Sequence, residues 1–253
     1  MNKSWLLRSI CGLIAGFCVI SSVDASTVWQ GDRFSDQVFE LDSLGHVTGQ
    51  IPPFSPPSPT GGMTTVGNEV WWGSADTPEI IRVDFSGNPI GSFASPLGPT
   101  GGMTRVGNEV WWGSADTPEI ARLDFSGNPL GFFASPGGAT GGMTTVGNEV
   151  WWGHADSTNV FRLDSLGQVI DVFSPYGMLL STGGLATVGN EVWMGFADYT
   201  GTARFDFAGS YLGMYQTPDT VGGFATVVPV PAAVWLFASA LVGVGFFKRK
   251  VKT

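Results

Sequence analysis

The chain has 253 residues, of which 37 are glycine and 16 proline, and only 13% of them are charged. This balance excludes a helical bundle rich in Ala, Glu and Lys and describes many short strands joined by tight turns. Every lysine (Lys3, Lys248, Lys250, Lys252) lies near an end, and between residues 26 and 229 six arginines stand against twenty Asp and Glu. Such a field repels phosphate backbones and anionic membranes, so nucleic-acid binding is excluded from the expectations.

Residues 1–25 carry a short basic start (Lys3, Arg8), an apolar run over residues 10–20 and a small-residue end, Val23-Asp24-Ala25. This is the pattern of a secretory signal peptide cut after Ala25. The apolar run is about ten residues, well short of the ~20 that a spanning helix needs. Both cysteines, Cys11 and Cys18, fall inside it, so the processed protein is expected to hold no thiol and no disulfide, and its stability must come from packing.

Residues 26–227 are a repeat. Residues 61–76 recur almost unchanged from Gly101 and again from Gly141, a shift of 40; a weaker copy begins at Gly183 and a truncated one at Gly222. Periods of about 40 with several strands per unit are propeller-like. Within a unit, Gly61-Gly62-Met63-Thr64-Thr65-Val66 reads as strand one and Gly67-Asn68 as a hairpin turn needing positive φ at both positions. Residues 69–73 form strand two, 79–84 strand three and 90–93 strand four, with Ser86-Gly87-Asn88 turning the chain. The first unit starts at strand two, since Val28-Trp29 matches Val70-Trp71, and its missing first strand reappears at residues 222–227. The expectation is therefore an all-β, five-bladed propeller closed by pairing of N- and C-terminal strands, which leaves no exposed edge at the seam. The alternating Gly-rich and Trp-containing strands with an Asp-x-x-Gly turn resemble the NHL and streptogramin-lyase-like propeller group, over roughly residues 27–227.

Candidate functional residues follow from the strand order. The loops between strands two and three and between blades share one face, the expected ligand face, which displays Asp76, Asp116, His154, Asp156, Asp198 and Tyr199. The four aspartates, interrupted by Phe34 in the first blade, read either as caps of their own loops or as oxygen ligands for calcium. The tandem tryptophans Trp71-Trp72, Trp111-Trp112 and Trp151-Trp152 point to opposite sheet faces and are read as core, with sugar stacking the alternative. Arg82, Arg122, Arg162 and Arg204 each stand two residues before a turn aspartate and share its strand face, reading as a repeated ion pair or as a bond to a neighbouring blade's backbone. His46 and His154 are the only histidines and fall on opposite faces, and no Ser-His-Asp or metal-type spacing is visible, so no catalytic or metal residue is assigned and no cofactor is expected.

Residues 228–253 hold Val228-Pro229-Val230-Pro231-Ala232, an apolar run over residues 232–247, and the basic tail Lys248-Arg249-Lys250. Sixteen residues make about 24 Å of helix, a short span held against the cytoplasmic face by the basic cluster. Proline motif, small-residue helix and basic end in this order resemble the PEP-CTERM sorting signal in its VPLPA-type variant, although Val230 stands where the namesake pattern has glutamate. That resemblance implies recognition by an exosortase-type membrane protease of Gram-negative bacteria, with inner-membrane anchoring before processing and release to the cell surface or extracellular matrix. The function expected is a non-catalytic propeller binding module, with a polysaccharide-binding lectin, or a propeller hydrolase or lyase, as alternatives.

Overall fold

The computed structural model describes residues 27–35, 37–52, 59–174 and 181–227, and the signal-peptide and sorting segments lie outside them. Twenty strands form five four-stranded antiparallel sheets. The first blade combines both ends of the body, in the order β20 (Val221–Val227), β1 (Thr27–Asp32), β2 (Val38–Leu41) and β3 (Val47–Ile51). The second holds β4 (Thr60–Val66), β5 (Glu69–Ser74), β6 (Glu79–Asp84) and β7 (Pro89–Ala94); the third β8 (Thr100–Val106), β9 (Glu109–Ser114), β10 (Glu119–Leu123) and β11 (Pro129–Ala134). The fourth holds β12 (Thr140–Val146), β13 (Glu149–His154), β14 (Val160–Leu163) and β15 (Val169–Phe173); the fifth β16 (Thr182–Val188), β17 (Glu191–Phe196), β18 (Thr202–Asp206) and β19 (Tyr211–Tyr215). The expected seam is present: Trp29 pairs with Ala225 and Gln30 with Phe224. Among the described residues no helix is long and apolar enough to cross a membrane.

The double glycine of strand one explains how five sheets meet on one axis. Its first glycine is the extra residue of a β-bulge, so Thr60 pairs with Ser74 and Gly62 with Gly73 while Gly61 is skipped. Its second glycine forms a ring of backbone contacts. A Cβ on Gly62 would lie 2.7 Å from the Cα of Gly102, and one on Gly102, Gly142, Gly184 or Gly223 would meet the next glycine of the ring at 2.8–2.9 Å. Only hydrogen fits there, and the contact runs round all five blades, from Gly223 back to Gly62.

The tandem tryptophans fill the junctions between blades, as their alternation along the strand requires. Trp71 packs with Met103, Val110 and Trp112 at the second–third junction, whereas Trp72 packs with Trp29, Ile51 and Met63 at the first–second junction. All six are 6% exposed or less, so the core reading holds and the stacking alternative does not. Edge-on contacts with outer-strand aromatics continue the wedge outward: Trp71 to Phe93 at 4.9 Å, Trp111 to Phe133 at 4.9 Å and Trp151 to Phe173 at 5.1 Å.

The tight hairpins differ from expectation in detail. Gly67, Gly107, Gly147 and Gly189 have φ between 58° and 63°, but among the described residues no non-glycine residue has positive φ. The hairpins therefore need left-handed backbone only at their first position, and the asparagine after it takes an ordinary conformation. The Asp-x-x-Gly turns conform fully: Asp84 Oδ1 accepts from the backbone N–H of Ser86 and Asn88, both at 2.9 Å. The turn glycine then seats against the preceding blade, Gly127 on Phe93 and Gly167 on Phe133.

Candidate functional site

On the looped face, Asp76, Asp116, Asp156 and Asp198 are all exposed, and the loop cap is a different residue. Ser74 Oγ accepts from the N–H of Asp76 at 3.1 Å and of Thr77 at 2.9 Å, and Ser114 repeats this for Asp116 and Thr117. In the first blade Asp32 takes the role toward Phe34, and in the fourth His154 Nδ1 accepts from Asp156 N–H at 2.9 Å. In four blades the capping expected of the aspartates thus belongs to the residue two places earlier, and the fifth has Phe196 there, which offers no acceptor. His154 Nδ1 accepts from Asp156 N–H, and Nε2 donates to Gly137 O at 2.8 Å. Tyr199 Oη accepts from Gln216 Nε2 at 3.0 Å. Among the described residues no group of three or more His, Cys, Asp or Glu is arranged to hold a metal.

The hairpin face is where the ionic groups meet. Arg82, Arg122, Arg162 and Arg204 do form a repeated ion pair, but with Glu69, Glu109, Glu149 and Glu191 on strand two, not with the turn aspartates two residues ahead. The strand register explains the correction: Trp71 stands opposite Arg82, so the arginine reaches diagonally to the glutamate beside it, whereas the aspartate is already spent on its turn. Each contact is bidentate, with Arg122 Nε and Nη2 donating to Glu109 Oε2 at 2.6 Å and Oε1 at 2.5 Å. In the second and fifth blades the glutamate also accepts from the indole N–H, Trp71 to Glu69 at 2.7 Å and Trp193 to Glu191 at 3.4 Å. Hydrogen bonds from Arg122 hold the Glu109 carboxyl below the usual carboxylate range, and Arg204 does the same for Glu191.

Two cavities open on this face. One, of about 180 Å³, lies on the axis and is lined by the second halves of the innermost strands. Its wall is stapled by hydroxyls: Thr65 Oγ1 donates to Thr226 O, Thr226 to Thr187 O and Thr187 to Thr145 O, each at 2.8 Å, and Thr145 to Arg105 O at 2.6 Å. Arg105 interrupts the series and donates from Nε to Gly107 O instead. The second cavity, of about 510 Å³, lies between the third and fourth blades and is bounded by the Gly107-Asn108 and Gly147-Asn148 hairpins, the Glu109–Arg122 pair and Ser165. Neither cavity includes any residue expected on the looped face. The glutamates were legible as a series spaced thirteen residues before each arginine, and Ser165, like Ser43, as a break in the phenylalanine series Phe85, Phe125, Phe207.

Comparison with known proteins agrees with the fold. A chain of the Nidogen/Laminin complex matches with a TM-score of 0.57 and 11% identity over 80% of this chain and 98% of its own. The glutaminyl cyclase of Myxococcus xanthus matches with a TM-score of 0.51 and 11% identity over 70% of this chain and 74% of its own. No protein-family model matches the chain, and no curated protein matches it in sequence. At this identity the likeness concerns the fold, and the fold alone does not carry a function.

Proposed function

We propose that the protein is exported, sorted at the envelope of a Gram-negative cell by an exosortase-type protease acting on residues 228–250, and displayed as a non-catalytic propeller that binds extracellular polysaccharide. The observation that carries this reading is the placement of the closed propeller between a secretory-type leader and the Val228-Pro229-Val230-Pro231-Ala232 motif with its apolar run and basic end. A body with a surplus of carboxylates and no cysteine suits an oxidising exterior and a polymer rather than a polyanionic partner. The recurrent Glu–Arg pairs tie strands two and three of their own blades together and the recurrent turn aspartates cap their turns, which supports a binding role over a catalytic one. The structural neighbour from the Nidogen/Laminin complex is a propeller in a binding assembly, and this reading extends that use of the fold to the present chain.

The sorting part is tested by replacing Pro229 and Pro231 with alanine. The expected result is an unprocessed, membrane-bound form in the native host, and normal release would overturn the assignment. Binding is tested by co-sedimentation of the protein with the host's own extracellular polysaccharide, where a soluble, unbound protein would count against it.

A further inference from the structure

The residue after the turn aspartate differs between blade junctions on the hairpin face. At the first–second junction this residue is Phe85, which packs against the apolar cluster of Trp29, Ile51 and Trp72. At the second–third junction it is Phe125, covered by the Arg105 guanidinium 5.2 Å from its ring centroid. At the third–fourth junction both positions are small, Ser165 and Thr145, and the 510 Å³ cleft opens in their place. The first blade also carries serine, Ser43, but its first two strands come from opposite ends of the body and lack the hairpin that would form a rim.

We propose that this cleft is a binding site for a neutral saccharide, created by Ser165 and presented by one junction of the five. The inference rests on the polysaccharide-binding reading above and names the site and ligand charge that reading leaves open. The volume lies within the ~300–1,000 Å³ of ordinary ligand sites. Asn108 and Asn148 line it from adjacent hairpins, and their side-chain amides, without a hydrogen-bond partner among the described residues, offer donors and an acceptor to sugar hydroxyls. Arg122 keeps Nη1 after spending Nε and Nη2 on Glu109. Trp111 lines the cleft but is only 2% exposed, so recognition comes from hydrogen bonds rather than ring stacking.

Charge selects against the other ligand classes. Both oxygens of Glu109 already accept from Arg122, and Glu149 is neutralised by Arg162, so no carboxylate is left to hold a cation. An acidic sugar would meet an arginine already compensated, inside a body with twenty acidic residues to six arginines.

The test is calorimetric titration of the full chain, in a detergent without a sugar headgroup, with neutral gluco-, manno- and galacto-tetrasaccharides and with tetragalacturonate. Wild type is expected to bind a neutral member at one site, and Ser165→Phe, which installs the side chain that three other blades carry, to weaken it at least tenfold with an unchanged unfolding midpoint. Should that variant misfold, the Phe125→Ser, Arg105→Thr double variant is read instead, and it is expected to add a second equivalent site at the second–third junction. Wild-type binding untouched by Ser165→Phe, or a double variant still binding one equivalent, overturns the cleft assignment while leaving the polysaccharide reading standing. Binding of tetragalacturonate alone overturns the charge argument, and binding of no oligosaccharide overturns both readings.

Discussion

At the residue scale, the unit that recurs is a Glu–Arg pair seated beside a buried indole. Glu69 shows the balance most clearly: burial by itself raises its carboxyl, but hydrogen bonds from Arg82 and Trp71 outweigh it and the net displacement is downward. Because the Glu69 side chain is only 10% exposed, Arg82→Ala leaves a carboxylate short of its partner and is expected to cost about 1–2 kcal/mol, between the values for surface and buried pairs. Chemical denaturation checks this, and a cost near zero would show that water replaces the guanidinium. The acid response follows from the same groups. Glu109 and Glu191 are lowered on folding from an ordinary value of 4.5, so their contribution is complete above that pH and is lost as pH falls through the folded value. The stability gap between wild type and the Glu109→Gln, Glu191→Gln double variant should therefore be widest at neutral pH and shrink below about pH 4.5; a gap that grows on acidification would contradict the pairing.

At the scale of the element, strand one is shaped by its two glycines for different reasons, one to skip a ladder position and one to let backbones touch. Gly102→Ala places a methyl 2.8 Å from the Cα of Gly142 and 2.9 Å from the backbone of Met143, where no side chain can move aside. We expect a loss of about 3 kcal/mol or more, at the upper end of overpacking costs. Gly91→Ala on the outermost strand has nothing within 4 Å and an ordinary φ, and should shift the urea midpoint by less than about 0.5 kcal/mol equivalent. Equal effects at the two sites would mean that the axial contact is looser than the geometry requires. The strands were legible because alternation and the forty-residue period act locally. The diagonal reach of Arg82 to Glu69 was not, because it depends on which residues a register places side by side.

At the scale of the whole molecule, β20 links one end of the body to the other. It pairs with β1 along its length and lies against β4 and β16, so it completes a sheet and two junctions at once. A chain ending at residue 220 would uncover Trp29, Val28 and the β1 edge, and an open edge beside exposed apolar surface is an aggregation template. The expected outcome is loss of the cooperative unfolding transition and self-association on gel filtration. A monomeric, cooperatively folding truncation would show that four complete blades suffice.

The sequence by itself determined the number of blades, the shared seam and the burial of the tandem tryptophans, because each follows from a period or an alternation that reads the same in every copy. It also determined the turn aspartates, whose partners lie within four residues. Only the tertiary structure decided where the open surface lies. The aspartates on the long loops stand apart, while the cleft at Ser165 appears on the opposite face, where one blade lacks the phenylalanine that seals another's junction. Such a cavity is a property of two neighbouring blades together, and its volume is set by what a side chain from the adjacent sheet fails to fill.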